Sequence, residues 1–164
     1  EMIVWGGDGG PFVNIGDTGG RYDPVSNNWS DLAVSGFLNN KVGHVAAWTD
    51  TDMVVWSGND NSGRYNPVSD SWETVAFFNP LINRYDPLSE MSAEQVIIWG
   101  GSELNSGAAY HPVTDDWQLM TFTNVPTGRS DAVSVWTGEE FIVWGGIDSS
   151  GALTNTGGRY RFSE

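Results

Sequence analysis

The sequence predicts an all-β protein assembled from repeated four-stranded antiparallel units, with essentially no helix, and three observations predict it. Apolar runs ending in Trp-Gly-Gly or a near variant occur four times, at Ile3-Val4-Trp5-Gly6-Gly7, Val54-Val55-Trp56-Ser57-Gly58, Ile97-Ile98-Trp99-Gly100-Gly101 and Ile142-Val143-Trp144-Gly145-Gly146. A Tyr follows each run, and in the first three repeats a second Trp stands seven residues after it, at Trp29, Trp72 and Trp117; from that Trp to the next Trp-Gly-Gly the count is 27 every time. Apolar residues do not recur at the 3.6-residue helical period, whereas short runs bounded by Gly, Pro, Asn and Asp recur throughout.

Each unit reads as strands a to d. Strand a runs over Val42 to Trp48, Tyr85 to Met91 and Ser130 to Trp136, with Trp48, Met91 and Trp136 each 19 residues past a second Trp. Polar tight turns such as Thr49-Asp50-Thr51-Asp52 and Thr137-Gly138-Glu139-Glu140 lead into strand b. Strand b is apolar on both faces, as in Met53-Val54-Val55-Trp56, which suits an interior strand packed between neighbouring sheets. The Gly pair closing it permits positive φ and close backbone approach where the chain leaves the sheet. Strand c holds Arg21-Tyr22, Arg64-Tyr65, Ala109-Tyr110 or Arg159-Tyr160. Asp-Pro and its variants then turn the chain into strand d, so that Tyr and Trp face each other on adjacent strands. Arg84-Tyr85-Asp86-Pro87 imitates strand c, but the register sets Arg84 opposite Lys41 and Arg129, ahead of strand a.

Apolar run, double Gly, variable loop, Tyr, six residues and Trp together resemble the kelch repeat, one blade of a β-propeller, over essentially the whole chain. On that resemblance the fold is a kelch-like β-propeller fragment of four-stranded antiparallel blades. The blades are 1–34, lacking its first strand, 41–77, 85–122 and 129–164, lacking its last strand. Ser57 for a Gly, Ala109 for an Arg and Met91 for a Trp depart from the pattern without threatening the sheets. Proteins of this kind close six or seven blades into a ring, and at a period near 46 residues these blades do not close one alone. The expectation is an arc at the C-terminal part of a longer propeller chain; two copies closing one ring, or a small four-bladed ring, are the alternatives.

Composition narrows the function. The 164 residues are 39% hydrophobic with 9 Trp, the make-up of a folded core. Seven Lys+Arg against 21 Asp+Glu give a net charge of −14, which repels nucleic-acid phosphate and anionic membrane surfaces. No apolar stretch is long enough to insert in a bilayer. Without cysteine there is no disulfide, thiolate nucleophile or Cys zinc site, nor the Cys-Tyr crosslink that kelch-like copper radical oxidases require. His44 and His111 fall at non-equivalent repeat positions, and no Ser-His-Asp set recurs.

Because strand direction alternates, the b-to-c and d-to-a connections emerge on one face, and there the sequence varies in length at constant sheet register. The binding candidates on that face are Asp8, Asn14 and Asp17 in the first b-to-c loop, Asn59 and Asp60 in the second, Glu103 in the third, and Asp148 and Asn155 in the fourth. Asp8, Asn14 and Asp17, and separately Asp148, Ser149 and Asn155, also offer oxygen ligands for calcium, although such loops carry Asp and Asn for turn geometry as well. No other cofactor is expected. Lys41, Arg84 and Arg129 stand at matching positions near the same face, either as a ring of cations for an acidic ligand or as donors to carbonyls of the adjoining blade. The resulting expectation is a non-enzymatic protein-binding or assembly scaffold whose partners are other protein subunits, including the remaining blades of the same or a second chain. A carbohydrate-binding or carbohydrate-processing propeller domain, of the sialic-acid mutarotase type, is the alternative. Acidity, few Lys and these short repeats resemble exported bacterial kelch-like proteins, which implies a periplasmic or extracellular location.

Overall fold

The computed structural model describes residues 1–7, 17–38, 43–58, 61–81 and 83–162, and they form an all-β chain of antiparallel sheets. Sheet I holds β1 (Met2–Trp5), β2 (Gly19–Asp23) and β3 (Asn28–Asp31); sheet II holds β4 (Val45–Trp48), β5 (Met53–Trp56), β6 (Gly63–Asn66) and β7 (Ser71–Thr74). Sheet III holds β8 (Leu88–Met91), β9 (Val96–Trp99), β10 (Gly107–His111) and β11 (Asp116–Leu119). A short ladder pairs β12 (Arg129–Ser130) with β15 (Ile147–Asp148), and sheet IV holds β13 (Val133–Trp136), β14 (Phe141–Trp144) and β16 (Gly157–Tyr160). Within each large sheet the strands lie in chain order. The one helical element among the described residues is a 3₁₀ turn at Asn79–Leu81.

Strand a is shorter than its sequence run because a left-handed residue breaks it. Gly43, Asp86 and Asp131, each two positions after Lys41, Arg84 and Arg129, have φ of 66°, 50° and 51°. Extended pairing therefore resumes only at Val45, Leu88 and Val133. The Arg84-Tyr85-Asp86-Pro87 imitation thus lies ahead of β8, as the register requires. The Gly pairs take positive φ, for example 74° and 78° at Gly100 and Gly101; Ser57 stands where that left-handed turn is not used.

Three hydrophobic clusters fill the three gaps between consecutive sheets. Between II and III lie Val54, Trp56, Val96, Ile98 and Tyr110; between I and II lie Trp5, Leu32, Met53, Val55 and Tyr65; between III and IV lie Ile97, Trp99, Met120, Phe141 and Val143. Strand β5 accordingly sends Met53 and Val55 to one neighbour and Val54 and Trp56 to the other, which is why it is apolar at every position. The sheets approach each other most closely along their first strands, β4 to β8 and β8 to β13.

A repeated clasp locks the outer strands. Tyr22, Tyr65 and Tyr110 lie directly opposite Trp29, Trp72 and Trp117, with ring centroids 5.1–5.3 Å apart. Each Tyr hydroxyl donates to the side chain five residues on, Asn27, Asp70 or Asp115, at 2.6–2.8 Å. These residues end the c-to-d turn at φ near 50–55°, a conformation Asn and Asp tolerate better than other L residues. Asp70 also accepts from the Ala33 N–H of the preceding sheet while the Trp72 indole N–H donates to the Ala33 carbonyl; Asp115 and Trp117 take Ala76 in the same way. Arg21 and Arg64 add a reverse bond to the Pro67 and Pro112 carbonyls of the following sheet. Ala109 replaces the Arg in sheet III, and the following repeat has Arg161-Phe162 where such a Pro turn would stand.

Candidate functional site

The loop face is built from connections whose ends are fixed while their lengths differ. Gly6, Gly100 and Gly145, which open the b-to-c loops, each donate their N–H at 3.0 Å to the residue before strand c: Thr18, Ser106 and Thr156. This pinches the loop at its base. Arg84 and Arg129 reinforce the pinch from beneath. Arg84 Nη1 donates to the Gly100 and Ser106 carbonyls at 2.9 and 2.7 Å, and Arg129 Nη1 to the Gly145 and Thr156 carbonyls at 2.8 and 2.7 Å. Arg84 Nη2 further reaches the Pro80 carbonyl and the Ser106 hydroxyl, and Arg129 Nη1 also reaches Thr154 Oγ1.

Both arginines are only 3% exposed, and burial pulls the Arg84 guanidinium below its ordinary pKa. They contribute loop shape to this face and no displayed charge. The Gly100, Ser106, Gly145 and Thr156 carbonyls lie in the b-to-c loops of the arginines' own sheets, and the Pro80 carbonyl that Arg84 also takes lies after β7, on the adjoining sheet's side to which the sequence pointed. A buried guanidinium suits the task because its fixed fork satisfies several carbonyls at once.

Consecutive connections interlock. Asn83, on the way from sheet II to sheet III, donates to the Gly58 carbonyl of the second b-to-c loop at 2.6 Å. Tyr85 and Ser102 bond across the third loop. Gly128, approaching sheet IV, lies so close to the Glu103 carbonyl that a Cβ there would sit 1.7 Å from it. Glu103 itself is exposed, with φ of 59°, at the tip of the third loop.

The other candidates divide into anchored and displayed groups. Asp17 is nearly buried: it accepts from Trp5 Nε1 at 3.3 Å, Ser35 Oγ at 2.5 Å and the Gly36 N–H at 2.7 Å, tying the first b-to-c loop to the segment after β3. Asp148 sits in register with Arg129 and accepts from Ser150 N, Ser150 Oγ and Ala152 N, bonds that hold its carboxyl below the usual range. Asn155 is exposed on the same long loop. Asp8, Asn14, Lys41, Asn59 and Asp60 lie outside the described residues. Among the described residues no group of three or more His, Asp or Glu gathers as a metal site. His44 lies edge-on to Trp5 at 5.3 Å and His111 Nε2 is 3.8 Å from Glu94, so the two are in separate surroundings.

Residues the sequence reading passed over are the Asn27, Asp70 and Asp115 series. Their constant place five after each Tyr was a visible signal, masked because Asn and Asp are expected in any turn. No protein-family model matches the chain and no curated protein matches it.

Proposed function

We propose that this chain is an arc of a kelch-like β-propeller that acts as a non-enzymatic protein-binding or assembly scaffold, presenting its b-to-c and d-to-a connections on one face. The observation that carries the proposal is the clamped loop base. Two b-to-c loops of different length, Gly100 to Ser106 and Gly145 to Thr156, are held at both ends by the same buried-arginine device. A loop fixed in this way loses little conformational freedom when a partner binds, and its tip is free to vary in sequence and length. Approach of the sheets along their first strands supports the radial arrangement of a propeller.

The test is partner capture by the immobilised chain, followed by loop-tip substitution. Glu103→Ala with Asn155→Ala is expected to abolish capture while leaving near-ultraviolet circular dichroism and melting temperature unchanged. Equal capture by that variant, with loss instead from Ser substitutions at Val25, Val68 and Val113 on the c-to-d turns, would move binding to the opposite face. Saturable binding on a glycan array with no protein partner would favour the carbohydrate alternative.

A further inference from the structure

Two departures from the repeat meet in one cleft. The fourth residue of the first strand is Trp48 in sheet II and Trp136 in sheet IV, but Met91 in sheet III. Trp136 packs into the gap between sheets III and IV, its ring 6.3 Å from that of Phe162, while Met91 stands in the equivalent place between sheets II and III. Strand c ends on Asp23 in sheet I and Asn66 in sheet II, whose side chains accept the turn N–H groups of Val25 and Ser26 or of Val68 and Ser69. Sheet III ends its strand c on His111, whose Nε2 lies 3.8 Å from Glu94 instead. Met91 and His111 both line a cleft of about 560 Å³, and small-molecule sites occupy about 300–1,000 Å³. The cleft opens among the a-to-b and c-to-d turns, away from the b-to-c loops. Both of its walls are four-stranded sheets, each with a further sheet packed behind it.

The cleft joins an apolar wall to unmatched negative charge. Met91 and Pro112 supply the apolar surface. The Arg64 guanidinium is already matched: Nε and Nη2 donate to Glu73 at 3.0 and 2.5 Å, and Nη1 to the Pro112 carbonyl at 3.0 Å. Asp52 accepts from Asn66 Nδ2 at 2.7 Å and Thr51 Oγ1 at 3.3 Å, both neutral donors, and the Glu94 side chain is 80% exposed. Among the described residues neither carboxylate has a Lys or Arg partner. We propose that this cleft binds a small molecule that joins a planar aromatic ring to an ammonium group. The ring takes the place that the repeat elsewhere gives to an indole, against the Met91 thioether and Pro112, and the ammonium meets Asp52 and Glu94. The site involves neither the loop face nor the arginine clamps, so it stands or falls separately from the proposed function.

The probe is tryptamine, titrated into the 164-residue chain carrying ¹³C-methyl methionine. The methionines are Met2, Met53, Met91 and Met120; the ring current of a bound indole is expected to shift the Met91 methyl resonance saturably and to leave the other three in place. Indole-3-acetate, which reverses the charge, and butylamine, which lacks the ring, should each bind at least about ten-fold more weakly by calorimetric titration. Glu94→Arg should weaken tryptamine about three- to ten-fold. Glu94 is exposed, so this variant keeps its fold, which near-ultraviolet circular dichroism verifies. Met91→Trp, which fills the cleft with the residue used at this place in sheets II and IV, should abolish binding. A shift at Met53 in place of Met91 would put the ring in the cleft beside Trp48, between sheets I and II, and overturn the proposal. So would no saturable binding to the folded chain, equal affinity for indole-3-acetate, or unchanged affinity in the folded Glu94→Arg or Met91→Trp variant.

Discussion

Strands β5 and β9 in the middle of the molecule are buried at every residue, whereas β1 and β14, with nearly the same Met-Ile-Val-Trp and Phe-Ile-Val-Trp sequence, are buried on one side only. Trp56 and Trp99 are enclosed, and Trp144 at the equivalent position is 56% exposed. The residues are alike, so the difference comes from what stacks on them. Among the described residues sheets II and III have a neighbour on each side, and sheets I and IV have one. This is the behaviour of a repeat protein whose stability is a sum of unit and interface contributions. The clasps follow the same division: Asp70 with Trp72 and Asp115 with Trp117 each grip a preceding sheet, while Asn27 accepts from Tyr22 and Trp29 packs on its ring with no sheet before them in the described structure.

The largest effect is expected from removing one inner clasp. Trp117→Ala loses packing against Tyr110 and Phe78 and the bond to the Ala76 carbonyl, a cost of about 3 kcal/mol in denaturant unfolding. Trp29→Ala, at the same repeat position with more than half its surface exposed, should cost under about 1 kcal/mol. Equal costs would break the contrast between middle and end.

Arg129→Met should come next. It leaves the Gly145 and Thr156 carbonyls without their buried donor, at a cost of about 2 kcal/mol. Limited proteolysis is expected to begin within the 146–156 loop of this variant and to spare that loop in the parent chain.

The hydroxyls of the inner clasps sharpen the comparison at high pH. Burial, with the Asp70 bond second, pushes Tyr65 up to about 12, and burial raises Tyr110 as well, with its bond to Asp115 adding. A phenol whose folded pKa is raised contributes stability that is complete below the ordinary tyrosine value of about 10. That contribution is lost as pH rises through the folded value. Absorbance at tyrosinate wavelengths should therefore show two groups still protonated above about pH 10, ionising together with unfolding.

The smallest effect concerns acid. Bonds from Tyr65 and the Ala33 N–H lower the Asp70 pKa, so its contribution is present above the ordinary carboxylate value and fades as pH falls through the lowered one. Asp70→Asn, which copies Asn27 and keeps an accepting oxygen, should change stability little at neutral pH and flatten the acid limb of a pH–stability profile. A large loss at neutral pH would show that charge, and not the accepting oxygen, holds the clasp.

Much of the architecture was legible because it rests on spacing. The seven-residue Tyr-to-Trp interval places both rings in register, and the constant count of 27 placed Arg84 ahead of a first strand despite its Tyr-Asp-Pro sequel. What the sequence concealed depends on partners distant in the chain. Arg84 and Arg129 read as donors to carbonyls of the adjoining blade in preference to surface cations, but nothing local tells which way a guanidinium turns or which carbonyls it meets. Asp17 read as a loop ligand until Trp5, Ser35 and Gly36 converged on it. The shortened first strands turn on left-handed Asp86 and Asp131, whose φ a strand-like pattern does not reveal.

Hydrogen exchange of the b strands tests most directly whether stacking and clasping, beyond the pairing within each sheet, set stability. Strands β5, β9 and β14 are each hydrogen-bonded to a neighbour on both edges and differ in whether a sheet covers both faces or one. The account predicts that amides of Val54–Trp56 and Ile97–Trp99 exchange at least about ten-fold more slowly than those of Ile142–Trp144. Equal protection across all three strands would contradict it.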